Sequence, residues 1–244
     1  MPIRQAQSLI GAWLGAARRE VGATAALAVL AAGVWAFLSV AEEMREGETH
    51  AFDLAVLNGL REHGRPDDAL GPWWLETIAT DLTALGSTSL LTLILLLVGG
   101  LFLMLRRPGA ALMLLLAAGG GLLISQGLKL LFGRERPPLA YHATESLNAS
   151  FPSGHAMLSA VVFLTLGTVG ARLFKRRREK IYVMSASVLI TLLVGLTRIY
   201  LGVHWASDVI AGWCMGAAWA MACWLAAWAW QRFNRPAATQ PPQD

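Results

Sequence analysis

Charge is what this sequence lacks. Only 15% of its 244 residues are Asp, Glu, Lys or Arg, against an apolar fraction of 55% and a mean hydropathy of +0.50. A soluble chain of this length must cover most of its surface with charged side chains, so the deficit excludes an ordinary soluble domain. Cysteine is nearly absent as well. Cys214 and Cys223 both fall in one apolar stretch, which leaves no disulfide framework and no metal-ligand spacing. Lysine is scarce, three against 17 arginines, and no basic block interleaves with aromatics, so nucleic-acid binding has no support. Neither an internal repeat nor an independent soluble domain is visible.

Long uncharged runs take the place of the missing surface. Six stretches, at about 21–41, 82–105, 108–132, 154–174, 181–200 and 208–231, suit transmembrane helices, since a bilayer needs roughly 20 apolar residues. Arg18 and Arg19 before the first run, and Ser39-Val40-Ala41 at its end, resemble a signal peptide with a cleavage site. The run is longer than the roughly 7–15 residues of a signal core, so a retained helix is expected. The expected fold is therefore all-α: a six-helix transmembrane bundle forming one domain over 1–233, with a long loop between the first two helices. The Pro/Gln/Ala-rich tail at 234–244 is expected to be disordered.

Basic residues orient the bundle, because cytoplasmic loops hold an excess of Lys and Arg. The side holding both termini and the 2–3 and 4–5 turns carries 13 of the 20 basic residues, six of them between Arg172 and Lys180. Both termini are expected in the cytoplasm of a cell (inner) membrane, with the other face periplasmic or extracellular. The long loop, 42–81, lies on that outer face with ten carboxylates and three arginines. Its apolar run from Phe52 to Leu60 and its Trp73-Trp74 pair suggest interfacial helices and an aromatic anchor. A plain solvated acidic loop accounts for the charges equally well.

Three clusters lie at outer helix ends. In Lys129-Leu-Leu-Phe-Gly-Arg-Glu-Arg136-Pro137 the two cations are seven residues apart, two turns on one face if the helix persists. They could equally be cations snorkelling to the interface. In Phe151-Pro152-Ser153-Gly154-His155, Ser153 is a natural N-cap and Gly154 allows close approach to a ligand at a helix N-terminus. In Thr197-Arg198-Ile-Tyr-Leu-Gly-Val-His204-Trp-Ala-Ser-Asp208, the spacing of His204 and Asp208 lets the carboxylate hold one imidazole nitrogen. The other nitrogen is then free to act as a nucleophile. Taken singly, each histidine also fits a structural role. Together, Lys129, Arg136 and Arg198 converge on one membrane face with two histidines and a carboxylate, where ionisable groups are functional by default. The pattern suits a phosphate whose ester tail lies in lipid.

The order Lys, six residues, Arg-Pro; then Pro-Ser-Gly-His; then Arg, five residues, His, three residues, Asp resembles the type-2 phosphatidic acid phosphatase superfamily. That superfamily also contains soluble vanadium haloperoxidases and bacterial acid phosphatases. Thr197 stands where many members have Ser, and keeps a hydroxyl. The resemblance implies a lipid phosphatase working through a phosphohistidine: His204 the nucleophile, Asp208 its orienting carboxylate, His155 the acid and then the base. Lys129, Arg136, Arg198, Ser153 and the Gly154 N–H would hold the phosphate oxygens. It implies no cofactor and no metal, and a lipid phosphate as partner: undecaprenyl pyrophosphate, phosphatidylglycerophosphate or phosphatidic acid. An outer-facing site in an Arg-rich chain favours recycling of the isoprenoid pyrophosphate. The competing expectations are a phosphotransferase that passes the same phosphoryl group to another lipid, a haloperoxidase, and a non-catalytic lipid-binding or transport protein.

Overall fold

Glycines on the last helix, α8 (Ala206–Phe233), set how closely the other helices can approach. The computed structural model describes residues 2–63, 65–143 and 148–234. A Cβ on Gly212 would come within 2.8 Å of the Ser153 carbonyl, and one on Gly216 within 2.5 Å of the Met157 carbonyl. Both carbonyls belong to the start of α6 (Gly154–Ala171) or the residue before it. Ala156 and Ala160 face the same two glycines. Lipid tails are as apolar as Leu, so helices in a bilayer associate through such small-residue seams rather than by hydrophobic exclusion.

The other spans assemble around this pair. Helix α1 (Pro2–Glu46) runs along α8, with Gly33 against the Cys214 carbonyl. Helix α7 (Arg177–Tyr200) packs on α6, α5 (Pro108–Phe132) on the other side of α6, and α4 (Thr88–Met104) on α5. One buried cluster, Phe37, Ala41, Phe151 and Ala211, ties α1 and α8 to the loop before α6. A second, Leu91, Leu158, Val162 and Phe163, joins α4 to α6.

The chain is mostly helical, and among the described residues five helices are long and apolar enough to cross a membrane: Val21–Glu46, Pro108–Phe132, Gly154–Ala171, Arg177–Tyr200 and Ala206–Phe233. A sixth crossing requires a bent pair, Trp73–Gly86 with Thr88–Met104, which turns by 52°. The sequence suggested one continuous second helix over 82–105, and here the structure differs. Ser87 is extended (φ −70, ψ 143) and starts a new helix by accepting from the Leu90 N–H at 3.3 Å. Gly86 is pressed against Val194 and His155 so closely that a Cβ would meet Val194 at 2.4 Å. The bend brings the chain against α7 and against α6 at His155.

The stretch expected as a long loop, 42–81, is largely ordered secondary structure. It contains the end of α1, helix α2 (Thr49–Gly59), a hairpin of β1 (Arg61–Glu62) and β2 (Arg65–Ala69), and most of α3 (Trp73–Thr83). Buried Arg61 is the reason it folds back. Its guanidinium donates to the carbonyls of Leu60, Pro66, Tyr141 and Tyr200, pinning the hairpin to the end of α7 and the turn near Tyr141. Trp73 and Trp74 open α3 and are exposed. The expected disordered tail, apart from Asn234, lies outside the described residues.

Overpacking the α6–α8 seam should destabilise the protein. Gly216→Val is expected to lower the melting temperature in detergent by about 5 °C or more. Gly99→Ala, where a Cβ meets nothing within 4 Å, serves as control. Equal melting of the two variants would contradict the close seam.

Candidate active site

Helix α5 stops where the site begins. Gly133 adopts the left-handed conformation (φ 56) and accepts the helix end, so Lys129 sits in the last turn while 134–137 leaves the helix. Lys129 and Arg136 therefore do not share a helical face, as an uninterrupted helix would have given; tertiary structure brings them together instead. The Lys129 ammonium donates to the Ala149 carbonyl at 2.5 Å. Arg136 donates through Nε to the Asn148 carbonyl and through Nη1 to the Val203 carbonyl, both at 2.6 Å. Arg198, buried near the end of α7, donates to Thr83 Oγ1 at 3.0 Å, while its Nε is buried without a partner among the described residues.

His204 lies in the turn between α7 and α8, not on a helix. Gly202 (φ +70) makes that turn possible where a Cβ would strike the Tyr141 carbonyl. Asp208, in the first turn of α8, is reached by folding back rather than by helical spacing. Its Oδ2 accepts from the Trp205 N–H at 3.0 Å and from Ser150 Oγ at 2.5 Å, and lies 3.4 Å from His204 Nδ1. On the other side of the ring, Arg136 Nη1 is 3.2 Å from Nε2. A guanidinium can only donate, so Nε2 carries the lone pair and the proton sits on Nδ1, toward the carboxylate. Burial, reinforced by Arg136 and Arg198 and opposed by Asp208, holds the His204 pKa well below the usual histidine range. Burial thus favours the neutral ring, whose Nε2 lone pair accepts from Arg136.

His155, the second residue of α6, opens on the same cavity as His204. That cavity, about 210 Å³, is also lined by Lys129, Arg136, Arg198 and Gly154, together with Ser125, Gln126, Thr88 and Asn148. Among the described residues, no carboxylate lines it. Three cations around so small a space give it the charge to hold an oxyanion. Two predicted residues stand behind the wall. Asp208 belongs there, as the partner of His204. Ser153 was expected to bind phosphate, but it is fully buried and its hydroxyl accepts from the Ala156 N–H at 3.5 Å, so it serves as the N-cap of α6. Gly154, one residue on, reaches the cavity.

Four residues of the centre were not apparent from sequence. Arg134 donates to Asp208 Oδ1 at 2.6 Å and to Asp53 Oδ2 at 2.7 Å. Ser150 bridges Asp208 and His204, and Thr83 holds Arg198. The signal for Arg134 was its place in Gly133-Arg134-Glu135-Arg136-Pro137, and for Asp53 a lone carboxylate within an apolar run. Neither names its partner.

Fold and cavity together define a multi-pass membrane protein with a cationic cavity that holds two histidines. Residues 110–232, half the chain, match the PAP2 superfamily, and the chain belongs to that family. The phosphatidylglycerophosphatase B of Bacillus subtilis (strain 168) is 32% identical over 146 residues, covering 59% of this chain and 70% of that protein. An undecaprenyl-diphosphatase of Sulfolobus acidocaldarius is 34% identical over 68 residues, 28% of this chain and 29% of that protein. The crystal structure of a transmembrane PAP2-type phosphatidylglycerolphosphate phosphatase from Bacillus subtilis is similar with a TM-score of 0.73 at 25% identity, covering 84% of this chain and 98% of that one. Aquifex aeolicus LpxE shares the fold at a TM-score of 0.50 and 24% identity, over 64% of this chain and 88% of its own.

Removing a cavity cation should weaken oxyanion binding. Arg136→Ala and Arg198→Ala are each expected to raise the dissociation constant for vanadate by about ten- to a hundredfold, the scale of one charge-assisted hydrogen bond. Unchanged calorimetric affinity in either variant would take that residue out of the site.

Proposed function

We propose that this protein is a membrane lipid phosphatase that hydrolyses a phosphomonoester or pyrophosphate of a lipid through a phosphohistidine on His204. The observation that carries this reading is the orientation of one ring. His204 lines a cavity with three cations; its Nε2 lies 3.2 Å from one of them, Arg136, while Nδ1 is turned to Asp208. A neutral imidazole held this way keeps its lone pair on the Arg136 side, and a phosphate that draws the guanidinium onto its own oxygens would free that lone pair to attack phosphorus.

The steps follow from the groups present. Nε2 attacks phosphorus, and the bond to the ester oxygen breaks with its electron pair leaving on that oxygen. His155 gives the leaving oxygen a proton, then takes one from the water that attacks the phosphohistidine. The phosphorus–nitrogen bond breaks and its electron pair returns to Nε2. Asp208 stabilises the imidazolium between the two steps. Lys129, Arg136 and Arg198, with the Gly154 N–H, carry the charge on the non-bridging oxygens, and Ser153 fixes that N-terminus by capping it. Phosphoryl transfer asks chiefly for positioning and charge, which this set supplies. The chemistry is assigned to these cations without a metal ion, an assignment that chelation tests directly.

The curated relatives bear on the substrate: one is a phosphatidylglycerophosphatase and one an undecaprenyl-diphosphatase. Both lipids are therefore the first to test. With the bent pair taken as one crossing, six spans in a single domain over 1–233 leave both termini on the side richest in Lys and Arg. The protein is accordingly assigned to the cell (inner) membrane, with cytoplasmic termini and the cavity on the outer face.

Phosphate release from a panel of these lipids by purified protein is the direct test. His204→Ala and His155→Ala should each lower turnover by at least about 100-fold, and near-parental turnover in either would refute its role. Activity should persist in EDTA; loss on chelation with rescue by Mg²⁺ would count against a metal-free route.

A further inference from the structure

Behind Asp208 lies a second buried carboxylate. Asp53, on α2, is fully buried, and its Oδ1 accepts from the Ser207 N–H at 2.9 Å. Its Oδ2 accepts from Ser207 Oγ at 2.6 Å and from Arg134 Nη2 at 2.7 Å. Arg134 spans the two acids, since its Nη1 donates to Asp208 Oδ1 at 2.6 Å and to Ser207 Oγ at 2.8 Å. Thr49 Oγ1 lies 3.3 Å from Nη2, and the Trp205 ring lies 5.6 Å beneath the guanidinium carbon.

Charge counting gives this arrangement a purpose. Arg134 is always protonated. Paired with Asp208 alone, it would neutralise the carboxylate that has to face an imidazolium. On its cavity side His204 meets Arg136 at 3.2 Å, with Lys129, Arg198 and His155 also lining the space. An imidazolium formed there would see cations in front and a neutral pair behind. Asp53 supplies the missing charge. Asp53, Arg134 and Asp208 together carry one net negative charge, matching the one positive charge that His204 gains when Nε2 bonds to phosphorus.

We propose that Asp53 is a positioning residue for this centre, acting through Arg134 so that Asp208 stays effectively anionic toward His204. The proposal rests on the phosphohistidine reading above. The contrary view is that Asp53 only anchors α2 to the bundle.

Charge compensation separates the two. Asp53→Asn leaves the cluster neutral, Arg134→Gln leaves it doubly negative, and the double variant restores the single negative charge. The experiment measures kcat, KM and inhibition by inorganic phosphate for full-length purified protein, with a lipid phosphomonoester as substrate. Asp53→Asn should lower kcat by about 10- to 100-fold, the scale on which the outer hydrogen-bond partners of a functional imidazole act. KM and phosphate inhibition should stay within about twofold, because the cavity cations are untouched. The double variant should exceed Asp53→Asn in kcat by about fivefold or more, a coupling typical of residues in one network.

A double variant no better than the product of the single losses would overturn the proposal. So would parental kcat in Asp53→Asn, or failure of both single variants to give folded, monodisperse protein, which would make the pair structural. Substantial turnover in His204→Ala would remove the phosphohistidine reading itself. An inactive His204→Ala beside a fully active Asp53→Asn removes only the role given to Asp53.

Discussion

A fully buried carboxylate at the start of α8 governs how the rest of this molecule meets. Taking an ion out of water costs several kcal/mol unless it is paired and hydrogen-bonded. Asp208 is satisfied by groups from separate parts of the chain: Arg134 after α5, Ser150 before α6, and the Trp205 N–H and His204 beside it. Burying this charge therefore requires the 134–137 crossing, the loop into α6 and the turn out of α7 to arrive at one point. Those three segments also deliver Arg136, His155 and His204. The electrostatic requirement of one side chain and the assembly of the cavity are the same event.

Close backbone approach makes that convergence possible inside a bilayer. The α6–α8 seam at Gly212 and Gly216 sets the height of His155 relative to Asp208, because the glycines leave no freedom for the helices to slide. Gly86 does the same for the bent α3–α4 pair, whose backbone lies directly on His155. Gly133 and Gly202 act differently, ending one helix and turning between two others in left-handed conformations. Larger side chains at these points would move functional groups rather than merely loosen the core.

Electrostatic design differs on the two sides of His204. In front are three cations whose hydrogen bonds among the described residues go to backbone carbonyls, a threonine and His204 itself, an arrangement in which none of these partners cancels their positive charge. Behind are two carboxylates sharing one arginine. The imidazole is thus placed across a step in potential, with its lone pair on the positive side.

Much of this was legible in the sequence. Uncharged runs located five spans, since helix length in a bilayer is fixed by thickness and composition alone. Motif spacing picked out Lys129, Arg136, His155, Arg198, His204 and Asp208, because phosphate chemistry needs those residue types and little else. What spacing could not give was how they meet. The helical faces expected for Lys129 with Arg136, and for His204 with Asp208, were replaced by a helix end at Gly133 and a helix start at Trp205. The hydroxyl of Ser153 went to a helix cap instead of the cavity. Asp53 and Arg134 carried no local pattern that joins them, and a surface loop seemed to hold the first of them. Local sequence determined which groups are present and which segments enter lipid. Only the tertiary structure decided their partners, because a buried charge is satisfied by whatever the fold brings to it from far along the chain.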